Sequence, residues 1–292
     1  MLPLLRSLLF VPGNRPKMLD KAPGSGADAI VLDLEDSVPP AEKDVARRMV
    51  RERIEGYGPV PCAVTVRVNA ISSGLTAADL AAVVVPGLQG ITLPKCQSAA
   101  EMRDMDRLLA EAERNAGLAA GEIPVIACVE TAYAVLRTRE IAEVGPRVVG
   151  LNLGAEDFCA DMGVPRTKEA TELFLPRASI ALCSRAADVQ ALDCVFSDFG
   201  DEAGLRHEAA VARGLGYNGK YLIHPSQIGP VNEVFTPPAT EVEYARRVVA
   251  AFEAGVAAGS AAVNLDGKMV DTPVVNRARK LLALAALLER GK

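Results

Sequence analysis

The feature that most limits what this chain can fold into is a regular alternation of short β-rich runs with amphipathic helical stretches. Eight such runs recur: SLLFVP from Ser7, AIVLDLED from Ala29, CAVTVRVN from Cys62, GITLPK from Gly90, PVIACVET from Pro124, VVGLNLGAEDF from Val148, ALDCVFSDFG from Ala191 and GKYLIHP from Gly219. Most are nearly continuous in apolar residues, as strands buried on both faces are. The segments between them, such as EKDVARRMVRERIEGYG and AAEMRDMDRLLAEAERNAG, place apolar residues at helical spacing with charges on the opposite side. Eight strand-helix units in 292 residues predict an α/β fold of the closed (β/α)8 TIM barrel type rather than an open doubly wound sheet. No Gly-x-Gly-x-x-Gly follows the first run, so the signature of a dinucleotide-binding fold is missing.

The barrel is expected to occupy residues 1–225 as the catalytic domain. Residues 226–292 add a helix from about Glu241, a connecting stretch AAVNLDGKMVDTPVV and a final helix to about Arg290, none of which a barrel needs. They read as a C-terminal helical arm or lid, long enough to reach a neighbouring subunit.

Half of the residues are hydrophobic, 24% are charged and the net charge is −5, so no broad positive surface is expected to meet nucleic acid. The first apolar run is too short to span a bilayer, is broken by Arg6 and Pro12, and has no small-residue cleavage site behind it. A soluble, cytoplasmic protein without a membrane partner is expected. Six scattered cysteines form no Cys-x-x-Cys pair, and His207 and His224 are the only histidines. That pattern argues against disulfides, structural zinc and a Ser-His-Asp triad, and leaves metal chemistry to oxygen ligands.

Residues at the carboxyl ends of the strands of such a barrel form one ring at its mouth, where its active sites lie. Here the ring reads Asn14 and Arg15; Asp33, Glu35 and Asp36; Arg67 and Asn69; then Lys95, Glu130, Asp157, Asp198 and His224. Glu130 and Asp157 end neighbouring strands in this reading, about 5 Å apart, and two carboxylates that close repel unless a cation lies between them. A hard divalent ion such as Mg2+ fits, with positions left for water and substrate oxygens. The plainer reading of Asp157 is a helix cap, and Glu156 beside it reads as peripheral. Arg67, a charge within VTVRVN, either faces the mouth or pairs with Asp33 or Glu35. The LEDSV acids either orient water on the metal or neutralise Arg15, Arg67 and Lys95.

Taken together, RSLLFVPGNRPKM, VLDLEDSVPPAEK, VRVN, LPK, VIACVET, LGAEDF, GYNGKYLIHPSQI and LDGKMVDTPVV resemble the citrate lyase β-subunit-like group, which includes malyl-CoA and citramalyl-CoA lyases. The group lies in the HpcH/HpaI aldolase superfamily. The resemblance implies Mg2+, or Mn2+ in its place, held by Glu130 and Asp157, with Glu130 and Arg67 meeting the substrate. It implies coenzyme A over the mouth near Arg6, Lys17, Pro94, Lys95, Ile223 and Pro225. It also implies a homotrimer or hexamer in which the arm covers a neighbour's site and delivers Asp271 as acid/base. The activity implied is Mg-dependent cleavage or formation of a β-hydroxyacyl-CoA, giving acetyl-CoA and a 2-oxo acid. Three rivals share the frame: a malyl-CoA thioesterase, a citrate lyase β subunit acting on citryl carrier protein within a lyase complex, and a Schiff-base aldolase built on Lys95.

Overall fold

The structure is a computed structural model that describes residues 2–290. Eight strands form its centre: β1 (Ser7–Pro12), β2 (Ala29–Asp33), β3 (Ala63–Arg67), β4 (Gly90–Leu93), β5 (Val125–Val129), β6 (Val148–Leu153), β7 (Gln190–Asp193) and β8 (Gly219–Leu222). Each pairs in parallel with the next, and β8 returns to β1 to close the barrel. The expected (β/α)8 architecture is the one observed. β2, β4, β5 and β8 are buried along their whole length, which explains the unbroken apolar runs.

Helices cross between the strands: α1 (Pro16–Lys21), α2 (Lys43–Gly56), α3 (Thr76–Val83), α4 (Ala99–Ala116), α5 (Ala132–Val135), α6 (Thr138–Ala142), α7 (Ala155–Met162), α8 (Phe174–Ala187) and α9 (Glu202–Leu215). Their local signals are physical. α4 buries Met102, Met105, Leu109 and Ala112, starts where the Ser98 side chain accepts from the Glu101 N–H, and stops at Gly117 with φ 70°.

Inside the barrel, Leu5, Leu8, Val31, Ile126, Leu192 and Tyr221 pack with Phe10 and Val195. The Tyr221 hydroxyl meets Thr92 Oγ1 at 2.9 Å, and Phe10 lies 5.0 Å from Tyr221, ring centre to ring centre. Outside the strands a buried ionic group ties β7 and β8 to α8 and α9. Lys220 Nζ donates to Asp193 Oδ2 and to Glu208 Oε1, both at 2.6 Å, while Arg177 Nε donates to Asp193 Oδ1 at 2.8 Å. Lys220 and Asp193 are fully buried.

The chain divides into two compact units, residues 1–232 and 233–292. The boundary lies beyond residue 225 because the chain after β8 stays with the barrel: Gln227 accepts the Ile223 N–H at 3.0 Å and donates to the Phe196 carbonyl at 2.9 Å. A further helix, α10 (Ile228–Phe235), spans the boundary. The second unit consists of α11 (Ala239–Ala257), a hairpin of β9 (Val263–Leu265) and β10 (Lys268–Val270), and α12 (Thr272–Arg290). Within this connecting stretch, Asp266 and Gly267, at φ 51° and 78°, make the turn of the hairpin. Its core is Ala245, Val248, Val270, Val275 and Ala278. Among the described residues, no helix is long and apolar enough to cross a membrane.

Candidate active site at the barrel mouth

Strand register sets the site. Asp33 and Arg67 are partners across β2 and β3, so Arg67 Nε and Nη2 donate to the two Asp33 oxygens at 2.7 and 2.8 Å. The sequence left this pairing open; the structure shows it. Burial pushes the Asp33 carboxyl up, but Arg67, Ser37 and the Glu35 N–H outweigh it and hold the group below the usual carboxylate range. The Arg67 guanidinium also lies 4.5 Å from the centre of the Phe10 ring. Lys43 donates from Nζ to the Leu34 and Glu35 carbonyls at 2.6 and 2.8 Å, pinning the LEDSV loop over the mouth.

Two more acids come from that loop. Glu35 is 6% exposed, and its Oε2 accepts no hydrogen bond although Arg67 Nη1 lies 3.1 Å away. Lys95 Nζ donates to Glu35 Oε1 at 2.6 Å and to Asp36 Oδ1 at 3.1 Å, and lies 3.9 Å from Asp157 Oδ1. The Glu35 carboxyl is raised, by burial first and by Asp36 as well, against the pull of Arg67 and Lys95. Lys95 is raised in turn, because Glu35 and Asp36 outweigh its own desolvation.

Glu130 follows β5 directly and is 4% exposed. Its Oε2 accepts the Lys95 N–H at 3.1 Å. Burial, then Asp157, then Glu35 push its carboxyl up to about 8. Asp157 does not end β6, as expected from the sequence, but stands in the first turn of α7. It makes no side-chain cap there, so the capping role is not the one seen. Glu156 pairs with Arg166 at 3.2 Å.

Five acids (Asp33, Glu35, Asp36, Glu130 and Asp157) thus meet two cations, Arg67 and Lys95. A buried Glu35 oxygen that accepts no hydrogen bond and a Glu130 carboxyl raised by burial and then by neighbouring acids make an oxygen-rich set that a cation would stabilise. These residues fit a hard divalent cation. A second acidic cluster, Asp193, Cys194 and Glu208, does not, because Lys220 and Arg177 already neutralise it.

The cavity beside the acids measures about 210 Å³ and is lined by Phe10, Arg67, Cys128, Glu130, Asn152 and Tyr221, with Asp36, Asp157 and Ile223 at its edge. Asn152 was not singled out from the sequence, although a polar residue within an apolar strand was a signal that could have found it. A hollow of about 830 Å³ lies elsewhere, at the amino-terminal ends of β6 and β7, away from these groups. Lys17 is exposed on α1, Pro94 and Lys95 follow β4, and Ile223 and Pro225 follow β8, all on the side of the mouth. Arg6 is the correction. It precedes β1, so strand direction places it at the opposite end of the barrel, where Nε and Nη2 donate to Asp28 at 2.8 and 2.7 Å. Asp271 belongs to the second unit, where its Oδ1 accepts the Val274 N–H at 3.3 Å at the start of α12.

Gly154 leaves room for Glu130. A Cβ at that position would lie 2.3 Å from Glu130 Cγ and 2.6 Å from Oε1. Gly154→Ala is therefore expected to fold but to displace Glu130, lowering divalent-ion affinity on the order of 10–100-fold. Calorimetric Mn2+ titration checks this, and unchanged affinity would show that Glu130 is not a ligand.

The chain matches the HpcH/HpaI aldolase/citrate lyase family over residues 6–225. It is 41% identical over 282 residues to the citrate lyase subunit beta of Escherichia coli, covering 97% of this chain and 93% of that one. It is 35% identical to a (3S)-malyl-CoA thioesterase of Cereibacter sphaeroides, covering 96% and 94%. A solved structure of the protein CitE from Mycobacterium tuberculosis, in complex with magnesium, acetoacetate and coenzyme A, superposes with a TM-score of 0.80 at 33% identity, covering 98% of this chain and 100% of that one.

Proposed function

Because the chain belongs to the HpcH/HpaI aldolase/citrate lyase family of enzymes, we propose that it is a divalent-metal-dependent carbon–carbon lyase that cleaves or forms a β-hydroxyacyl-CoA such as malyl-CoA or citramalyl-CoA. The observation that carries this reading is the excess of carboxylates around Glu130 at the mouth of the barrel. Glu130 and Asp157 hold Mg2+, or Mn2+ in its place, with Glu130 also meeting the substrate. The ion supplies Lewis-acid polarisation of the substrate's hydroxyl or keto oxygen and charge compensation for its carboxylate.

The chain's own residues supply the rest. Cleavage releases the hydroxyl proton to solvent, turns the hydroxyl-bearing carbon into the keto carbon of the 2-oxo acid and leaves the electron pair of the broken bond on the thioester fragment as an enolate. Arg67, fixed by Asp33 and by Phe10, provides a preorganised positive charge at the cavity for the substrate carboxylate and the developing enolate. Asp271 gives the enolate carbon its proton, or takes one from the acetyl group in the reverse direction. It comes from the 233–292 unit of a neighbouring copy in a trimer or hexamer. Lys17, Pro94, Lys95, Ile223 and Pro225 border the path of the coenzyme A arm. The Schiff-base role of Lys95 is disfavoured, because its ion pairs with Glu35 and Asp36 keep the amine protonated.

Asp271→Asn keeps a side-chain acceptor for the Val274 N–H and is expected to fold and bind Mg2+ normally, with turnover lowered on the order of 10²–10⁴-fold. Wild-type turnover in that variant would remove Asp271 from the reaction.

The reading as a whole is tested by offering purified protein malyl-CoA and citramalyl-CoA separately with Mg2+. Acetyl-CoA with glyoxylate or pyruvate, lost on adding EDTA, is expected. Free CoA with intact hydroxy acid would make the chain a thioesterase, the activity in the name of the Cereibacter sphaeroides relative. No turnover while Mg2+ binds would point to a carrier-protein thioester and to partner subunits, the latter in keeping with the word subunit in the name of the Escherichia coli relative.

A further inference from the structure

Lys95 adopts a left-handed backbone at φ 51°, a conformation that a residue with a side chain keeps only where its surroundings dictate it. Both ends of the residue face acids. Its N–H donates to Glu130 Oε2 at 3.1 Å, while its Nζ donates to Glu35 Oε1 at 2.6 Å and Asp36 Oδ1 at 3.1 Å and stands 3.9 Å from Asp157 Oδ1. One residue therefore touches both carboxylates assigned above to the cation, Glu130 through its backbone and Asp157 through its charge. Arg67 is committed elsewhere, bidentate on Asp33 with Glu35 next to it. Lys95 is the residue that sets an ammonium 3.9 Å from Asp157 Oδ1 among the described residues.

We propose that Lys95 is a positioning residue whose ammonium is the resident cation of this cluster and competes with the divalent ion for it. In the metal-free protein it offsets the mutual repulsion of Glu35, Asp36 and Asp157 and so keeps the carboxylates assembled at the mouth. Ion binding displaces the ammonium from beside Asp157, while its bonds to Glu35 and Asp36 and the Lys95 N–H bond to Glu130 persist. The side chain weakens ion affinity through like-charge repulsion, and in exchange the ligands need little rearrangement when the ion arrives.

The inference rests on the reading of Glu130 and Asp157 as ligands. The test is titration calorimetry with Mg2+ and with Mn2+ on the wild-type protein and on Lys95→Met, Lys95→Gly and Lys95→Arg, each first shown to be folded by its thermal melt. Lys95→Met removes the charge at similar length and is expected to bind either ion on the order of tenfold more tightly than wild type. Lys95→Gly removes the charge and relaxes the left-handed backbone, so it should bind more tightly as well, and it carries the test if the Met variant does not fold. Lys95→Arg keeps the charge and should match wild type. A plain structural role predicts the opposite sign, with weaker binding as the cluster loses a cross-link. Neutral variants that bind equally or more weakly would overturn the inference and leave the ligand assignment standing. A wild-type protein that binds neither ion would sink the ligand assignment itself.

Discussion

Glu130→Gln should leave the barrel folded and abolish divalent-ion binding, with turnover lowered on the order of 10³-fold, equivalent to about 4 kcal/mol of lost Lewis-acid assistance. The variant keeps the shape and the acceptor for the Lys95 N–H but not the charge. A second signature separates this from a general defect. In the metal-free protein the Glu130 carboxyl sits at about 8 against an ordinary value of 4.5. Between those values the folded chain holds a proton that the unfolded chain has released. The stability contributed by this group is thus fully present below about 4.5 and is lost as pH rises through about 8. Metal-free wild type should therefore melt at a lower temperature at pH 9 than at pH 6, and Glu130→Gln should show a smaller drop. Mg2+ should bind wild type with release of a proton near neutral pH, visible as a buffer-dependent binding enthalpy. A variant that binds Mg2+ as wild type does would remove Glu130 from the site.

Lys220→Met tests the opposite property, stability without chemistry. It leaves Asp193, fully buried, and Glu208, 7% exposed, without the ammonium that bridges them at 2.6 Å. Breaking a buried ionic group by removing one partner costs about 3–5 kcal/mol, a large share of the roughly 5–15 kcal/mol that holds a typical protein folded. Urea denaturation should show that loss, while the fraction still folded binds Mg2+ normally. A change under about 1 kcal/mol would mean that Arg177 and Arg166 suffice to neutralise the two acids. Replacing Lys220 and Asp193 together by apolar residues should recover part of the loss, since no unpaired charge then remains between them.

The two residues show how unevenly a sequence declares itself. The eight strands were legible because burial on both faces leaves an apolar run, and here each run is short and separated from the next by an amphipathic helical stretch. The ends of those runs were less legible, because each carries on past the sheet into mouth loops. Asp157 seemed to end a strand for that reason and instead opens α7. Arg6 was placed at the mouth by the resemblance alone, whereas strand direction separates it from there: residues before a parallel strand and those after it stand at opposite ends of the barrel. The second unit's hairpin went unread because its strands are three residues each, too short for period-2 alternation, although Asp266-Gly267 was a usable turn signal. Gly154 reads in sequence as no more than a turn, since its importance comes from the Glu130 side chain folded against it.

Asp271 serves two masters. Its Oδ1 closes the first turn of α12 by accepting from Val274, and that same carboxyl group is proposed to carry a proton to and from carbon. A carboxyl that gains a proton becomes a poorer acceptor, so each protonation at this position loosens the start of the helix behind it. The chemistry would then be audible in the backbone: amide hydrogen exchange at Val274 should quicken whenever Asp271 is held protonated, making the end of a helix a reporter for the charge state of a group that absorbs no light.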